Sequence, residues 1–335
     1  MRHKKILPAF ILAMAPAVAL LLIMVSIRYG AKNMTFDTVW NAVFSFDQNS
    51  LDHQIVMTSR LPRAVGAMLI GAFLAISGAL MQGITRNYLA SPSIMGVSDG
   101  SVFAVTLFMV LMPNAHPDLY ILSSLLGSAA GAAIVFGLAW AIPQGMSPVR
   151  LAILGTVIGS FLSGTASAVA AYFQLSQKVS FWYNARLHQL DPELIKLSIP
   201  FAIAGLLLSL TLTKSVSALS LGEETAAGLG MRIWLVKGLA MLAVVILTGV
   251  SVALAGKVAF VGLIIPHIAR FVSGSDYRWV IPVSGVLGGL FLTASDIIAR
   301  FLNYPFETPV GVVTALFGVP FFLYLIRTKG GEQRA

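Results

Sequence analysis

The sequence predicts an all-α protein that crosses a lipid bilayer about ten times. Of its 335 residues, 57% are hydrophobic and only 10% are charged, and the mean hydropathy is +0.87. A soluble domain of ordinary composition carries about 25% charged residues. A water-soluble fold could not bury this much apolar surface, so lipid must be the solvent for much of the chain.

Apolar stretches of about 20 residues, enough to span the hydrocarbon core as helices, follow one another along the chain. Residues 1–335 are therefore predicted to form a single transmembrane domain. The division between the seventh and eighth spans is hard to place, because Val252 to Ile265 is nearly continuous; the eighth span is also short enough to be partly re-entrant. The predicted spans are Leu7–Ile27, Leu61–Gly83, Val97–Met112, Leu119–Ile142, Val149–Phe173, Glu193–Thr213, Ile233–Leu254, Val258–Val272, Val280–Ala299 and Pro309–Ile326.

Both ends of the chain are predicted to lie in the cytoplasm. The first apolar run follows a basic start and is longer than the roughly 7–15 residues of a signal peptide core, which favours an uncleaved span. An even number of spans puts both ends on one side, and the positive-inside rule makes that side the cytoplasmic face of a cell membrane. The tails carry Arg2, Lys4, Lys5, Arg327, Lys329 and Arg334.

Glycines recur at helical spacing inside the spans. The pairs Gly127/Gly131, Gly155/Gly159 and Gly285/Gly289 have the G-x-x-x-G spacing that lets helix backbones approach closely. We expect them to pack helices within this chain, with a dimer seam or a pore lining as the alternative.

The sequence lacks the residue patterns of catalysis, of a metal site and of nucleotide binding. It has no cysteine, no G-x-x-x-x-G-K-[ST] loop and no H-E-x-x-H motif. Ser160, Ser163 and Ser167 share one helix face, but no histidine or carboxylate nearby in sequence would activate them. We expect packing or pore hydroxyls there, no catalytic residue, no metal site and no cofactor bound by this chain. The formal charge of +9 is scattered between apolar spans, which argues against a nucleic-acid partner.

Few charges fall within the spans. Asp296 and Arg300 have the i, i+4 spacing that allows pairing, and a carboxylate at membrane depth needs a partner. His267 follows Pro266 and is interpreted as a hydrogen-bonded interior histidine rather than a proton relay. A chain of buried acids and histidines is missing, which disfavours an ion-coupled secondary transporter.

The segment 214–232 interrupts the hydropathy between the sixth and seventh spans. Gly222 can end one element, Glu223 and Glu224 favour a new helix N-terminus, and Gly228 and Gly230 then end it. The residues alone leave two interpretations open: a surface loop, or a short helix that another protein grips.

Several segments resemble the iron-siderophore and cobalamin permease family of ABC importers. The stretch from Arg60 to Gly100 carries R-L-P-R, S-G-A-x-x-Q and R-N-x-L-A-x-P in the family's order, and VGLIIPHIARF and PFETPVGVVTALFGVPFFLYLI are similar to it as well. The resemblance implies a cobalamin-importer-permease-like fold of type II. It also implies partners: a second permease subunit, two cytoplasmic ATPases that use the ATP, and a lipid-anchored extracellular binding protein. The resemblance leaves two alternatives open for the second permease: an identical chain, or a related one that makes a heterodimer.

The same resemblance assigns roles to individual residues. Arg60, Arg63 and Arg300, at the outer ends of two predicted spans, match arginines that dock the binding protein; snorkelling to lipid phosphates is the alternative. The cytoplasmic gate is implied at Asn87, Leu89, Pro148 and Val149. The contact with the ATPase is implied at Gly222, Glu223, Glu224, Ala226, Ala227, Gly228 and Gly230.

The segments RNYLASPSIMGVSDG, SFWYNARLHQ, NYPFETP and KGGEQ are most similar to permeases for ferric tris-catecholates such as ferri-bacillibactin or ferri-enterobactin. A substrate mouth is expected at Lys178, Trp182, Tyr183 and Arg186, where cations and aromatic rings suit a catecholate complex. An interfacial aromatic belt is the plainer interpretation of the same residues. Three other functions stay open: a cobalamin or haem permease of this family, an ion-coupled transporter, and an integral-membrane enzyme.

Overall fold

The computed structural model describes residues 3–30, 32–113, 116–143, 147–184, 187–304 and 306–329, and this part of the chain is almost entirely helical. A π-helical turn, Val56–Arg60, joins α3 to α4 without a break, and a 3-10 turn, Leu187–Gln189, precedes α9. The helices are α1 His3–Arg28, α2 Phe36–Phe44, α3 Leu51–Ile55, α4 Leu61–Thr85, α5 Val97–Leu111, α6 Pro117–Ala141, α7 Pro148–Tyr172, α8 Ser176–Asn184, α9 Pro192–Thr211, α10 Thr213–Ser220, α11 Glu223–Gly228, α12 Ile233–Ala255, α13 Val261–Ser273, α14 Tyr277–Leu302 and α15 Val310–Lys329.

The predicted all-α fold of about ten membrane helices is confirmed. Within the described ranges, seven helical stretches are long and apolar enough to cross a bilayer, and α5, α13 and α15 are shorter apolar helices. Each predicted span coincides with one of these ten within a few residues. The remaining helices (α2, α3, α8, α10 and α11) lie in the connections.

Helix α4 is the centre of the bundle, packed against α14, α12 and α13. Its small residues permit this contact. A Cβ added at Gly71 would overlap the Gly288 carbonyl of α14, and one at Gly78 would overlap the Gly262 carbonyl of α13. By contrast, only 11% of the most apolar window of α1 is buried, compared with 78% in α4, so α1 presents most of its surface to lipid.

The predicted G-x-x-x-G packing within the chain is confirmed for α6 and α7. Gly127 and Gly131 of α6 lie against the backbone of Gly100 and Gly96 at the start of α5. A Cβ at Gly155 of α7 would overlap the Ile94 carbonyl in the segment before α5. These contacts place the start of α5 between the central parts of two long helices.

Two helices begin near the middle of the membrane rather than at its surface. Gly96, just before α5, packs against Gly131, which is near the centre of α6. Gly262, at the start of α13, packs against Gly78, well inside α4. A Cβ added at Gly262 would lie 3.4 Å from Cδ of Pro92. Residues 91–96 and 256–260 are therefore non-helical backbone at membrane depth, which is tolerated only inside protein or along a water-filled cavity.

Candidate functional site

The end of the bundle where α4 begins and α14 ends contains a buried network centred on Arg63. Its guanidinium donates from Nε and Nη2 to the Asp296 carboxylate (3.0 and 2.8 Å) and from Nη1 to the Glu307 carboxylate (2.8 Å). Arg300 also donates to Asp296, which confirms the pair predicted from their i, i+4 spacing. Asp296 is 1% exposed. A lone carboxylate at the centre of a membrane helix costs roughly 2.5–3.5 kcal/mol on insertion scales. Asp296 avoids such a cost because two arginines neutralise its charge.

The same network caps the C-terminal end of α1. Arg60 Nη1 donates to the Ile27 carbonyl at 2.6 Å, and Arg300 Nη1 donates to the Ser26 carbonyl at 2.6 Å. The last carbonyls of a helix have no partner within it, and cations are favoured at its negative end. The two arginines therefore fix α1 to α4 and α14.

The structure brings Arg60, Arg63 and Arg300 together at one end of the molecule, as the resemblance implies, but turns them inward. Each is under 10% exposed and occupied by carboxylates or carbonyls of its own chain. Three guanidiniums and the two carboxylates of Asp296 and Glu307 leave one net positive charge. The sequence analysis missed Glu307, since 244 residues separate it from Arg63 and no local pattern signals the contact.

The predicted gate hairpin follows α4 at the opposite end. Arg86 adopts a left-handed conformation (φ 50°) that ends the helix, and the Asn87 side chain accepts a hydrogen bond from the Leu89 N–H at 2.9 Å. The ring of Tyr88, between them, lies under the Arg270 guanidinium of α13 at 4.3 Å. Leu89 is exposed while Ala90 is fully buried, so the hairpin is anchored on one side and open on the other.

The other predicted gate residues, Pro148 and Val149, begin α7. Val149 is exposed, and the side chain of Pro148 lies outside the described part of the structure. A cavity of about 540 Å³ lies between the end of α4 and the first turn of α7, because Arg86 and Leu151 both line it. The cavity is thus lined by chain neighbours of the predicted gate residues; Asn87, Leu89 and Val149 are not among its lining residues.

The predicted coupling segment forms the short helix α11 between Gly222 and Leu229. Gly222 has a φ of 132° that favours glycine, and Glu223 and Glu224 occupy the first turn as expected. Glu223 pairs with Lys237 of α12 at 2.8 Å, which fixes α11 to the end of a membrane helix. Its other side is exposed: Glu224, Ala227, Gly228, Leu229 and Gly230.

Ala226 corrects one expectation about α11. The sequence analysis grouped it with Ala227 as part of the partner contact, yet Ala226 is fully buried in the core of its own subunit. With 3.6 residues per turn, neighbouring residues of a helix point in different directions, so Ala226 faces the core while Ala227 is exposed and available to a partner.

The predicted substrate mouth falls on α8. Lys178 is exposed there, and Val179 beside it is buried. Trp182 and Tyr183 belong to the same helix by their backbone, although their side chains are outside the described part, and Arg186 lies outside the described residues altogether. Helix α8 contacts α5, α7 and α12, which puts it over one end of these helices.

The sequence analysis missed a charged cluster at the middle of the membrane. Asp99, in the first turn of α5, accepts hydrogen bonds from Lys257 Nζ and from Ser163 Oγ, both at 2.5 Å. Gly159, near the centre of α7, sits directly against the carboxylate. The non-helical segment 256–260 carries Lys257 to this depth. The available signal was the single acid in the apolar run Val97–Met112.

Hydroxyl groups extend from this cluster along α7. Thr156, Ser160, Ser163 and Ser167 repeat at intervals of four, three and four residues, which places them on one helix face. Thr156, Ser160 and Ser167 are exposed. A cavity of about 300 Å³ beside them is lined by Thr156, Ser160, Ser163, Asp99, Lys257 and Ser93, together with Ile94 and Gly159.

The comparison with protein families decides the identity of the chain. The model of the FecCD transport family matches residues 18–328. The chain belongs to the FecCD transport family. This FecCD permease is a transport subunit of an ABC importer and not its catalytic subunit.

Individual relatives cover nearly the whole FecCD permease. The iron-uptake system permease protein FeuB of Bacillus subtilis is 56% identical over 96% of this chain and 97% of its own. The ferric enterobactin permease FepD of Escherichia coli is 36% identical over 94% and 96%. A metal-chelate type ABC transporter, solved in an inward-facing conformation, matches with a TM-score of 0.80 and 26% identity over 96% of this chain and 99% of that one.

Proposed function

We propose that this FecCD permease forms part of an ATP-driven importer that passes a ferric siderophore, most favourably a tris-catecholate such as ferri-bacillibactin or ferri-enterobactin, into the cytoplasm. The observation that carries the proposal is the 56% identity to an iron-uptake permease over nearly the full length of both chains. Relatives named for haemin and cobalamin are 33% and 37% identical, which favours an iron complex over either alternative.

The proposed importer needs partners at three surfaces. A second permease subunit, either identical or a related chain that makes a heterodimer, would cover the exposed face of α7 and close a pathway between the two subunits. Two ATPase subunits would bind the exposed side of α11 and hydrolyse the ATP, so this chain itself needs no cofactor. An extracellular binding protein with a lipid anchor would deliver the cargo to the end that holds the Arg63 network.

When the binding protein docks, we propose that one of its carboxylates replaces Glu307 as a hydrogen-bond partner of Arg63. Glu307 is part-exposed, at 38% of its side-chain area, whereas Asp296 is buried. A carboxylate of the binding protein could displace Glu307 from Nη1 and form a charge-assisted pair, while Asp296 keeps the rest of the guanidinium in place. Arg60 and Arg300 support this arrangement by holding α1.

The docking proposal is tested by two conservative substitutions in this chain. The affinity of each variant for the purified binding protein is measured. Glu307→Gln removes the internal competitor and should leave affinity unchanged or higher, while Arg63→Lys loses the planar fork and should weaken binding by about tenfold. If a correctly inserted Arg63→Lys variant bound the binding protein with wild-type affinity, the arginines would only hold α1 in place and would not take part in docking. Charge reversal at Arg63 is a poorer test, since it would also break the contact with Asp296.

At the two ends of the pathway, we propose a gate and a mouth. The inner gate would consist of the Asn87–Leu89 hairpin and the α7 start at Pro148 and Val149, since Arg86 and Leu151, which adjoin these two elements in the chain, line one cavity. The outer mouth would be α8, where Lys178, Trp182 and Tyr183 lie, with Arg186 following it. Residues with aromatic and cationic side chains suit a catecholate rim.

The function is tested by uptake in a strain that lacks only this gene. Radiolabelled ferric tris-catecholate, ferric hydroxamate and cobalamin are supplied separately, and the gene is restored on a plasmid as the control. Loss of ferric tris-catecholate uptake, with recovery on complementation, is the expected result. Normal uptake of every iron complex in the deletion strain would sink the siderophore assignment, and loss of cobalamin uptake alone would transfer it to that cargo.

A further inference from the structure

We propose that Lys257, held by Asp99, is a charge-selective contact for anionic cargo halfway along the pathway. The inference rests on the proposed import function and adds to it a site and a chemical class of ligand: an oxygen-rich complex with net negative charge. The evidence is the placement of the ion pair at the middle of the membrane, its orientation, and the polar cavity beside it.

The ion pair lies in the membrane interior. Asp99 packs against Gly159, near the centre of α7, and the neighbouring Gly96 packs against Gly131, near the centre of α6. Ionisable residues at this depth are costly and usually mark a pathway for a polar solute. Non-helical backbone on both sides of the pair (residues 91–96 and 256–260) also suits a cavity wall better than a lipid-facing surface.

Lys257 is the more exposed member of the pair, although both residues line the cavity. The Asp99 side chain is 5% exposed, while that of Lys257 is 29% exposed. Asp99 accepts a hydrogen bond from the Ser163 hydroxyl at 2.5 Å and sits over Gly159, where an added Cβ would lie 2.7 Å from Oδ2. The carboxylate is therefore fixed in the wall and the ammonium is the group that a solute meets.

The cavity also offers hydroxyl groups. Thr156 and Ser160 are exposed beside Lys257; the Thr156 hydroxyl donates to the Ala152 carbonyl at 2.9 Å, so the Ser160 hydroxyl is the group that can donate to the oxygens of a passing complex. Apolar groups would fill a wall in contact with lipid more favourably than an ion pair, because a buried pair adds little stability over hydrophobic residues of similar volume. The chemistry of the lining therefore favours an anionic, oxygen-bearing solute.

Asp99 also explains how such a contact would release its cargo. An unpaired ammonium at this depth would hold an anion tightly and slow its exit, whereas conduction requires sites from which the solute leaves again. When the cargo moves on, Lys257 returns to Asp99, so neither charge is left without a partner. The pair thus permits a brief exchange of partners rather than a stable complex.

The test uses the assembled importer with its binding protein in proteoliposomes and compares three double variants. Asp99→Asn with Lys257→Gln keeps side chains of similar size and removes both charges. Asp99→Lys with Lys257→Asp keeps an ion pair but reverses its direction. Lys32→Gln with Asp52→Asn is the matched control, since it neutralises a pair with the same 2.5 Å separation on the protein surface.

Ferric tris-catecholate uptake is expected to fall about tenfold in the neutral variant and further in the reversed one, because an anion then meets a carboxylate. Binding-protein affinity should be unchanged in both, and the surface control should transport like wild type. Wild-type uptake by the neutral variant, or recovery of uptake in the reversed one, would show a purely structural pair and overturn the proposal. If the reversed variant fails to insert, Lys257→Arg replaces it, and loss of uptake there would count against the proposal. Absence of uptake by the wild type would instead refute the proposed function itself.

Discussion

At the scale of single residues, the most consequential contact is that between Asp296 and its two arginines. Replacing Asp296 by alanine leaves Arg63 and Arg300 buried without their shared partner, so we expect a loss of about 3–5 kcal/mol in unfolding free energy. The matched control is Glu307→Gln, at the part-exposed edge of the same network, which should cost less than about 1 kcal/mol. Denaturant unfolding in detergent measures both, and equal losses would show that burial of Asp296 is unimportant.

Asp276 is a residue whose effect should depend on pH. It caps the N-terminus of α14, accepts from the Ser217 hydroxyl of α10 and pairs with Arg278. Hydrogen bonding from the Arg278 side chain, the largest cause, holds the pKa of this carboxyl below its ordinary value of 3.8. A lowered pKa in the folded state means that the stabilisation is fully present above pH 3.8 and is lost as the pH falls further.

We therefore expect Asp276→Ala to lower the unfolding free energy by about 0.5–2 kcal/mol at neutral pH, the usual effect of a lost helix cap. The difference from wild type should stay constant from pH 7 to about pH 4 and then close as the pH falls below 3.8, because the wild-type carboxyl becomes protonated there. Unfolding midpoints across this range provide the measurement, with Asp276→Asn as a control that keeps a capping oxygen. A difference that grows toward low pH would contradict the sign derived above.

At the scale of elements, α11 separates two neighbouring alanines by function. Ala227 is exposed, so Ala227→Arg should leave insertion and thermal stability unchanged while it abolishes transport, since a bulky charge would block a close contact with the ATPase. Ala226 is fully buried, so Ala226→Arg should reduce the amount of folded protein instead. Co-purification of the ATPase at undiminished yield with Ala227→Arg would argue against this contact.

The helices themselves were largely predictable from the sequence, and the connections were not. Apolar runs near 20 residues give span positions because length and hydropathy are local properties. The start of α13 at Val261 and the descent of Lys257 into the membrane depend on what packs beside them, namely Gly78 and Asp99. The same limit applies to the candidate site: Asp296 and Arg300 are close in sequence and were paired in advance, whereas Arg63 reaches Asp296 across 233 residues.

At the scale of the whole molecule, the arginine network and α11 lie at opposite ends of the bundle, because α4 begins at the first and ends at the hairpin near the second. The proposed function requires the network to face outward and α11 to face the cytoplasm. The chain contains no cysteine, so a single introduced cysteine is the only thiol of this chain that a maleimide can label. The orientation is therefore directly testable. Asn49, before α3, and Arg327, near the end of α15, are both exposed and lie at opposite ends.

We expect Asn49→Cys to react with a membrane-impermeant maleimide in intact spheroplasts and Arg327→Cys to react only after the membrane is permeabilised. The physical basis is the positive charge of the two tails, which favours their retention in the cytoplasm. Transport by each variant serves as the control for correct assembly. Labelling of Arg327→Cys from outside, with Asn49→Cys protected, would invert the topology. The Arg63 network would then face the cytoplasm, and the binding protein would have to dock at another surface.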